Sequence, residues 1–282
     1  MKRLIYFLSF FIFIGLVSCG ESDSERALRL QKEKLASVQA ELDRVNEEKR
    51  IADSIAENTM TILRQPIHSI SDREIIKLFG ITIRSLGSDF INPEIPSLKP
   101  KFSILARKFY IIGKDEFVFS VLGITNPNDI HMYTGTTSVA LMKYFDGSWQ
   151  LQSIKKDLGG GFGFGQPADI EGVYQFGRTN LAVSLVGGYA QSGLEESGRE
   201  LIGVIDNEVV SIYQGEKSYT QADVFGEFDE SGGMNIDESR TTDFTFEKTE
   251  NAFYNMKIIS KALGKKTKSS VLNFDESKKK YR

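Results

Sequence analysis

Apolar positions along the chain change their period from helical to alternating. From Glu25 to Arg64 they repeat helically: Leu28, Leu35 and Leu42 fall seven apart, and Val38 and Val45 fall three after the last two of these. The stretch contains neither Gly nor Pro and is rich in Ala, Leu, Glu, Lys and Arg, all good helix formers. The spacing predicts one long, coiled-coil-like helix over 25–64, with an a/d seam suited to self-association into a homo-oligomer. A single amphipathic helix lying on its own domain or on a partner is the other reading. Lys49 interrupts the seam, and Ile51, Ile55 and Ile62 resume it on a shifted frame, as a stutter does. At 1.5 Å per residue the stretch would reach about 60 Å. Gln65-Pro66 is the expected stop, because proline lacks an amide hydrogen and restricts the residue before it.

A second helix is expected from Ser71. Ser71 and Glu74 have the S-x-x-E spacing of a capping box. Ile75, Ile76, Leu78, Phe79, Ile83 and Leu86 would form its buried face, with Gly87 as the stop. Asn92-Pro93 and Pro96 then read as a loop.

From Phe102 the apolar runs shorten and turn residues separate them. Phe102–Ile112 and Phe117–Ile124 flank Gly113 to Glu116; Ser138–Phe145 and Trp149–Ile154 flank Asp146-Gly147, a strong hairpin signal. Val173–Phe176 and Leu181–Val186 flank Gly177 to Asn180, and Leu201–Ile205 and Val209–Tyr213 flank Asp206-Asn207. Asp243–Phe246, Phe253–Ile259 and Val271–Phe274 complete the series. Hairpin follows hairpin with no helical pattern between them. The expected fold is therefore α+β, mainly β: a short helix packed on an antiparallel β-meander, sandwich or barrel-like, over residues 67–282.

The N-terminus changes the picture. Lys2 and Arg3 precede an apolar run from Leu4 to Leu16, shorter than the about 20 residues a spanning helix needs. Leu16-Val17-Ser18-Cys19 follows, and Cys19 is the only cysteine. The order of charged region, apolar region, small residues and cysteine resembles the lipobox of bacterial lipoproteins. That resemblance implies a signal peptide over 1–18, diacylglyceryl and acyl chains on Cys19, and a membrane as partner. Lipid chains acting together anchor a protein where one alone does so only marginally. Residues 19–24 then form a short tether. Gly20 stands where an Asp would favour retention at the inner membrane, so the resemblance points to the outer membrane of a Gram-negative envelope. Its periplasmic face and the cell surface both stay open; Glu21, Asp23 and Glu25 are a sparse acidic tract of the kind that accompanies surface display.

Composition adds exclusions. Loss of Lys2 and Arg3 with the signal peptide takes the formal charge from −3 to −5, against nucleic-acid binding. With Cys19 lipidated, no disulfide and no zinc set of Cys and His is expected. His68 and His131 are the only histidines, and no G-x-S-x-G elbow accompanies either. No catalytic residue, cofactor or metal ligand is assigned.

The glycine run from Gly159 to Gly165 fails the phosphate-loop spacing, since Phe164 and Gln166 interrupt it and no helical pattern follows. It reads as a mobile or tightly turned loop. Phe162 and Phe164, with Tyr189 in a second glycine-rich loop from Gly187 to Gly193, are the candidate ligand- or partner-contacting residues. The acids Asp223, Glu227, Asp229, Glu230, Asp237, Glu238 and Asp243 read as a solvated acidic loop, with calcium binding the alternative. Lysines from Lys257 to Lys280, with Arg282, read as protection of strand edges, with contact to anionic lipid or glycan headgroups the alternative. Phe145-Asp146-Gly147-Ser148-Trp149, Phe274-Asp275 and Tyr281 have a rhythm that resembles bacterial envelope β-domains, a likeness that brings no activity with it.

The expected function is that of an outer-membrane lipoprotein carrying a non-enzymatic binding or scaffolding domain on a helical stalk, toward an envelope protein or glycan. The alternative is an envelope hydrolase acting on glycan or peptidoglycan through a carboxylate site.

Overall fold

A computed structural model describes residues 34–46, 60–86, 90, 98–128, 133–191, 194–222 and 236–282. The chain divides into two units, Met1–Ala56 and Glu57–Arg282. In the first, residues 34–46 form a helix, α1, with every described residue exposed. The rest of that unit, including Cys19 and the other seam positions, lies outside the described residues.

The expected helix does not continue to Arg64. Met60–Leu63 is a strand, β1, paired antiparallel with β2 (Lys101–Ile112) from Met60↔Ile112 to Leu63↔Phe109. The β-branched Thr61 and Ile62 fit an extended edge, and the open side of β2 supplies hydrogen-bond partners that a helix end would lack. Tertiary pairing overrides the local helical pattern, and Met60 is buried in the central core. The globular unit therefore begins before Pro66, not at residue 67.

Helix α2 (Asp72–Phe79) starts as expected. The Ser71 hydroxyl accepts from Glu74 N, and the Glu74 carboxylate accepts from Ser71 N at 2.8 Å. It ends earlier than Gly87, because Gly80 adopts a left-handed conformation (φ 63°) and donates its N–H to Lys77 O. Ile83–Ser85 is a separate 3-10 turn.

Two antiparallel meanders follow. Sheet I runs β1-β2-β3-β4-β5, with β3 Asp115–Thr125, β4 Thr136–Phe145 and β5 Ser148–Leu158. Sheet II runs in order from β6 (Asp169–Gln175) through β7 (Leu181–Gln191), β8 (Leu194–Ile205), β9 (Glu208–Ala222), β10 (Ile236–Glu247) and β11 (Asn255–Ala262) to β12 (Lys268–Leu272). The hairpin turns Asp146-Gly147 (φ 49° and 78°) and Asp206-Asn207 (φ 52° and 63°) have the paired positive φ of type I′.

The sheets pack face to face. Phe117, Phe119, Val121, Val139 and Leu141 of sheet I meet Leu181, Val183, Leu185, Ile202 and Val204 of sheet II in one core. Alternation sends the intervening Val118, Leu122, Ala140 and Met142 to the other face of sheet I, where Ile75 and Phe79 of α2 cover them.

Sheet II is curled as well. In a flat sheet β6 and β10 would lie about 19 Å apart, four strand spacings. Here the rings of Tyr174 on β6 and Phe244 on β10 are 5.0 Å apart. At one end the curl closes: Tyr254 N donates to Phe176 O and Arg178 N to Ala252 O. The C-terminal hairpin of β13 (Phe274–Asp275) and β14 (Lys280–Tyr281) caps the aromatic interior, with the Tyr281 hydroxyl donating to Tyr254 O at 2.8 Å. The fold is a sandwich in which one sheet is rolled toward a barrel.

Candidate functional site

A concavity lies beside α2, between the segment Ile67–Leu78 and the tip of the β4–β5 hairpin. It measures about 710 Å³ and is lined by Ile67, His68, Ile70, Leu78, Tyr144 and Trp149, with Glu74, Lys77 and Ser148 among its polar groups. Ligand sites are commonly concave, mainly apolar and carry a few fixed polar groups, at a volume of roughly 300–1,000 Å³.

The hairpin turn makes the site. Asp146-Gly147 reverses the chain so that Tyr144 pairs with Trp149 across the ladder. Their rings meet edge to face at 5.5 Å, and Trp149 also meets Phe109 edge-on at 6.3 Å. The indole N–H donates to Ser69 O at 3.3 Å, which ties the hairpin to the segment before α2.

His68 closes the same wall. Its ring stacks on Tyr144 at 3.8 Å and 10°. Its Nδ1 lies 2.7 Å from Glu116 Oε1, and its backbone N–H donates to Glu116 Oε2 at 3.2 Å. One carboxylate at the start of β3 thus fixes both the backbone and the ring of His68. Beside a carboxylate, Nδ1 carries the hydrogen, which fixes the orientation of the ring. Glu74 at the rim is held below the usual carboxylate range by hydrogen bonds from the Ser71 side chain and backbone.

A smaller concavity of about 310 Å³ lies over sheet II, where Gly159, Gly160, Gly187, Gly198 and Gly215 form much of the wall. The glycine run beside it is tightly turned. Gly165 N donates to Tyr133 O, Asn126 N to Gly165 O, and both Gly135 N and Gly161 N to Gln166 O. A Cβ on Gly187 would lie 2.1 Å from Gly160 O, so the loop rests directly on β7. Strand β6 follows it, and no helix does.

The sequence candidates fall around this loop. Phe162 packs on Gly188, where a Cβ would sit 2.6 Å from the ring. Phe164 is exposed at φ 53°. Tyr189 is exposed too, but it does not stand in a second loop: Gly187 to Gln191 belong to β7, paired with β8 from Gly187↔Gly198 to Gln191↔Leu194. Flanking alternation extends the strand through the glycines because β8 supplies the ladder. None of the three lines the larger groove.

Part of the acidic stretch is also strand. Glu238 and Asp243 stand on β10, where Glu238 pairs with Arg240 and Asp243 with Lys217 at 3.2 Å. Residues 223–235 and His131 lie outside the described residues. Among the described residues, no group of three His, Cys, Asp or Glu side chains is placed to hold a metal.

The trough of curled sheet II holds an ion cluster that hydropathy alone did not suggest. Arg199 on β8 is 3% exposed. It donates from Nε and Nη2 to both oxygens of Glu171 on β6, at 2.6 and 2.9 Å, and from Nη1 to Thr242 O on β10. Lys217 reaches Glu171 at 2.7 Å, Ser184 donates to Glu171 at 2.6 Å, and Arg199 lies 4.8 Å over the Phe244 ring. Burial raises the Glu171 carboxyl, but the hydrogen bonds from Arg199, Lys217 and Ser184 outweigh it and bring its pKa down to about 2. All three guanidinium nitrogens of Arg199 donate inside the fold, to strands β6 and β10, so the cluster braces the curl. The signal for it was present: Ser197, Arg199 and Leu201 alternate on one strand, and Leu201 points inward.

No protein-family model, no curated protein and no solved structure matches this chain.

Proposed function

We propose that the chain is an outer-membrane lipoprotein, a non-enzymatic module that binds an envelope glycan in the groove of His68, Tyr144 and Trp149. Lipidated Cys19 holds it to the bilayer, and the helical stretch carrying α1 sets the domain away from that surface. The observation that carries the reading is the groove's mixed chemistry. Aromatic rings of Tyr144 and Trp149 and the apolar Ile70 and Leu78 lie beside Glu74, Lys77, Ser148 and His68. A sugar ring has the matching pattern, with an apolar C–H face and a rim of hydroxyls that donate and accept.

Trp149 is the only tryptophan, so its emission reports on the groove directly. Titration with a soluble N-acetylglucosamine oligomer or a β-glucan oligomer is expected to shift that emission saturably. Tyr144→Ala should weaken binding several-fold, since one aromatic contact is worth about 0.5–1.5 kcal/mol beyond its area. No response to any oligosaccharide would overturn the glycan reading. A response to extended peptides alone would assign the groove to a protein partner.

The anchor has its own test. Cys19→Ser is expected to abolish fatty-acid labelling and release the chain from membranes on fractionation. A wild-type chain that stays unlabelled and soluble would remove the lipoprotein reading.

One observation favours a second reading, an envelope hydrolase. His68, oriented by Glu116, could take a proton from water at the groove wall. Product release from the same oligomers, lost in His68→Gln, would establish it. The binding reading expects intact oligomers.

A further inference from the structure

Leu35, Val38, Leu42 and Val45 of α1 are 72%, 55%, 52% and 48% exposed. They form a strip only one residue wide, because the flanking Lys34, Gln39, Glu41 and Asn46 are all polar. A helix that lies on a globular body carries a stripe about 100° wide or more, whereas a strict a/d strip is the seam of a supercoil. The strip is therefore shaped for other helices of the same repeat, and further copies of this chain supply them.

The order of residue types decides how many. Steps of three, four and three from Leu35 to Val45 fix Leu at a and Val at d. The d sites of a parallel two-stranded coil point side chains at one another and crowd a β-branched residue. Two strands favour β-branched residues at a with Leu at d, while Leu at a with a β-branched residue at d favours higher orders. We infer that copies of this chain assemble through α1 as a parallel bundle of about three or four helices and not as a dimer.

The parallel direction rests on the lipid anchor proposed above, since chains tethered through Cys19 enter the bundle from the same end. In that direction Lys34 faces Gln39 of the neighbouring copy and Glu41 faces Asn46, so no like charges meet across the seam. Continued through the sequence, the heptad spacing puts Gln31 and Lys49 in its register, and these polar residues limit the apolar run to about two heptads. A seam this short is weak alone, but confinement to a membrane raises the local concentration of the copies. The bundle would present several glycan grooves together.

The test counts copies of the lipidated chain, labelled with one dye at its C-terminus, by stepwise photobleaching in a supported bilayer. Wild type is expected to give about three or four steps per spot. A fourfold exchange, Leu35→Ile, Val38→Leu, Leu42→Ile and Val45→Leu, is expected to reduce the count to about two. Single steps or pairs for wild type, or equal counts for both chains, would overturn the proposal. A chain that never reaches the bilayer would refute the anchor and, with it, the membrane-confined parallel bundle, an outcome distinct from a bilayer-bound chain that gives single steps or pairs.

Discussion

Glu171→Gln is expected to destabilise the globular unit by about 1–3 kcal/mol, because Arg199 is buried and loses its carboxylate while Glu171 itself is partly open to screening solvent. The variant leaves Arg199 buried, with Asp243 at 3.8 Å as its nearest remaining carboxylate. Replacing both partners by apolar residues, Glu171→Leu with Arg199→Met, should cost much less, because no uncompensated charge stays inside. Denaturant unfolding of the wild type and the two variants measures both effects. Equal losses in single and double variants would mean that the cluster does not brace the curl.

The same pair sets an acid limit. The Glu171 pKa is about 2 in the fold against an ordinary 4.5. A depressed carboxylate contributes its full stability above the ordinary value and loses it as pH falls toward the folded value. Wild-type stability should therefore decline between about pH 4.5 and 2, while Glu171→Gln, lacking that carboxylate, should not show this part of the decline. The gap between the two should narrow with acid.

The second large effect concerns where the globular unit starts. A chain beginning at residue 57 should melt like the full one. Starting at 67 removes β1, exposes the edge of β2 and takes Met60 from the core, so a lower melting temperature is expected. Starting at 100 also removes α2. Ile75 and Phe79, both fully buried, are lost, and Val118, Leu122, Ala140 and Met142 are uncovered. Each large side chain contributes about 1.5–3 kcal/mol when buried, against a typical net stability of roughly 5–15 kcal/mol. No cooperative transition is expected from that last chain. Trp149 emission follows all three melts, because the indole packs between Phe109, Tyr144 and Ser69 O. Equal melts for the chains starting at 57 and 67 would show that β1 adds nothing.

Local pattern alone determined much of this protein. Asp146-Gly147 and Asp206-Asn207 marked their hairpins because positive φ at both turn residues suits few side chains. Ser71 and Glu74 marked the start of α2 because the capping box lies within one turn of chain. Alternating runs located strands β2 to β12, although β7, β8, β9 and β10 extend well past the runs Leu181–Val186, Leu201–Ile205, Val209–Tyr213 and Asp243–Phe246, and the absence of helical pattern between them implied an antiparallel meander. What those signals share is short range in sequence.

Tertiary structure decided the remainder. Met60–Leu63 reads as helix locally and becomes a strand only because β2, some 50 residues on, offers it an edge. The groove was illegible because His68 is held by Glu116 and Ser69 by Trp149, contacts across 48 and 80 residues that no spacing rule encodes. The curl of sheet II was hidden for the same reason. Glu171, Arg199 and Asp243 stand on strands that a flat sheet would keep apart, and only the roll that brings them together gathers the two carboxylates around one buried guanidinium.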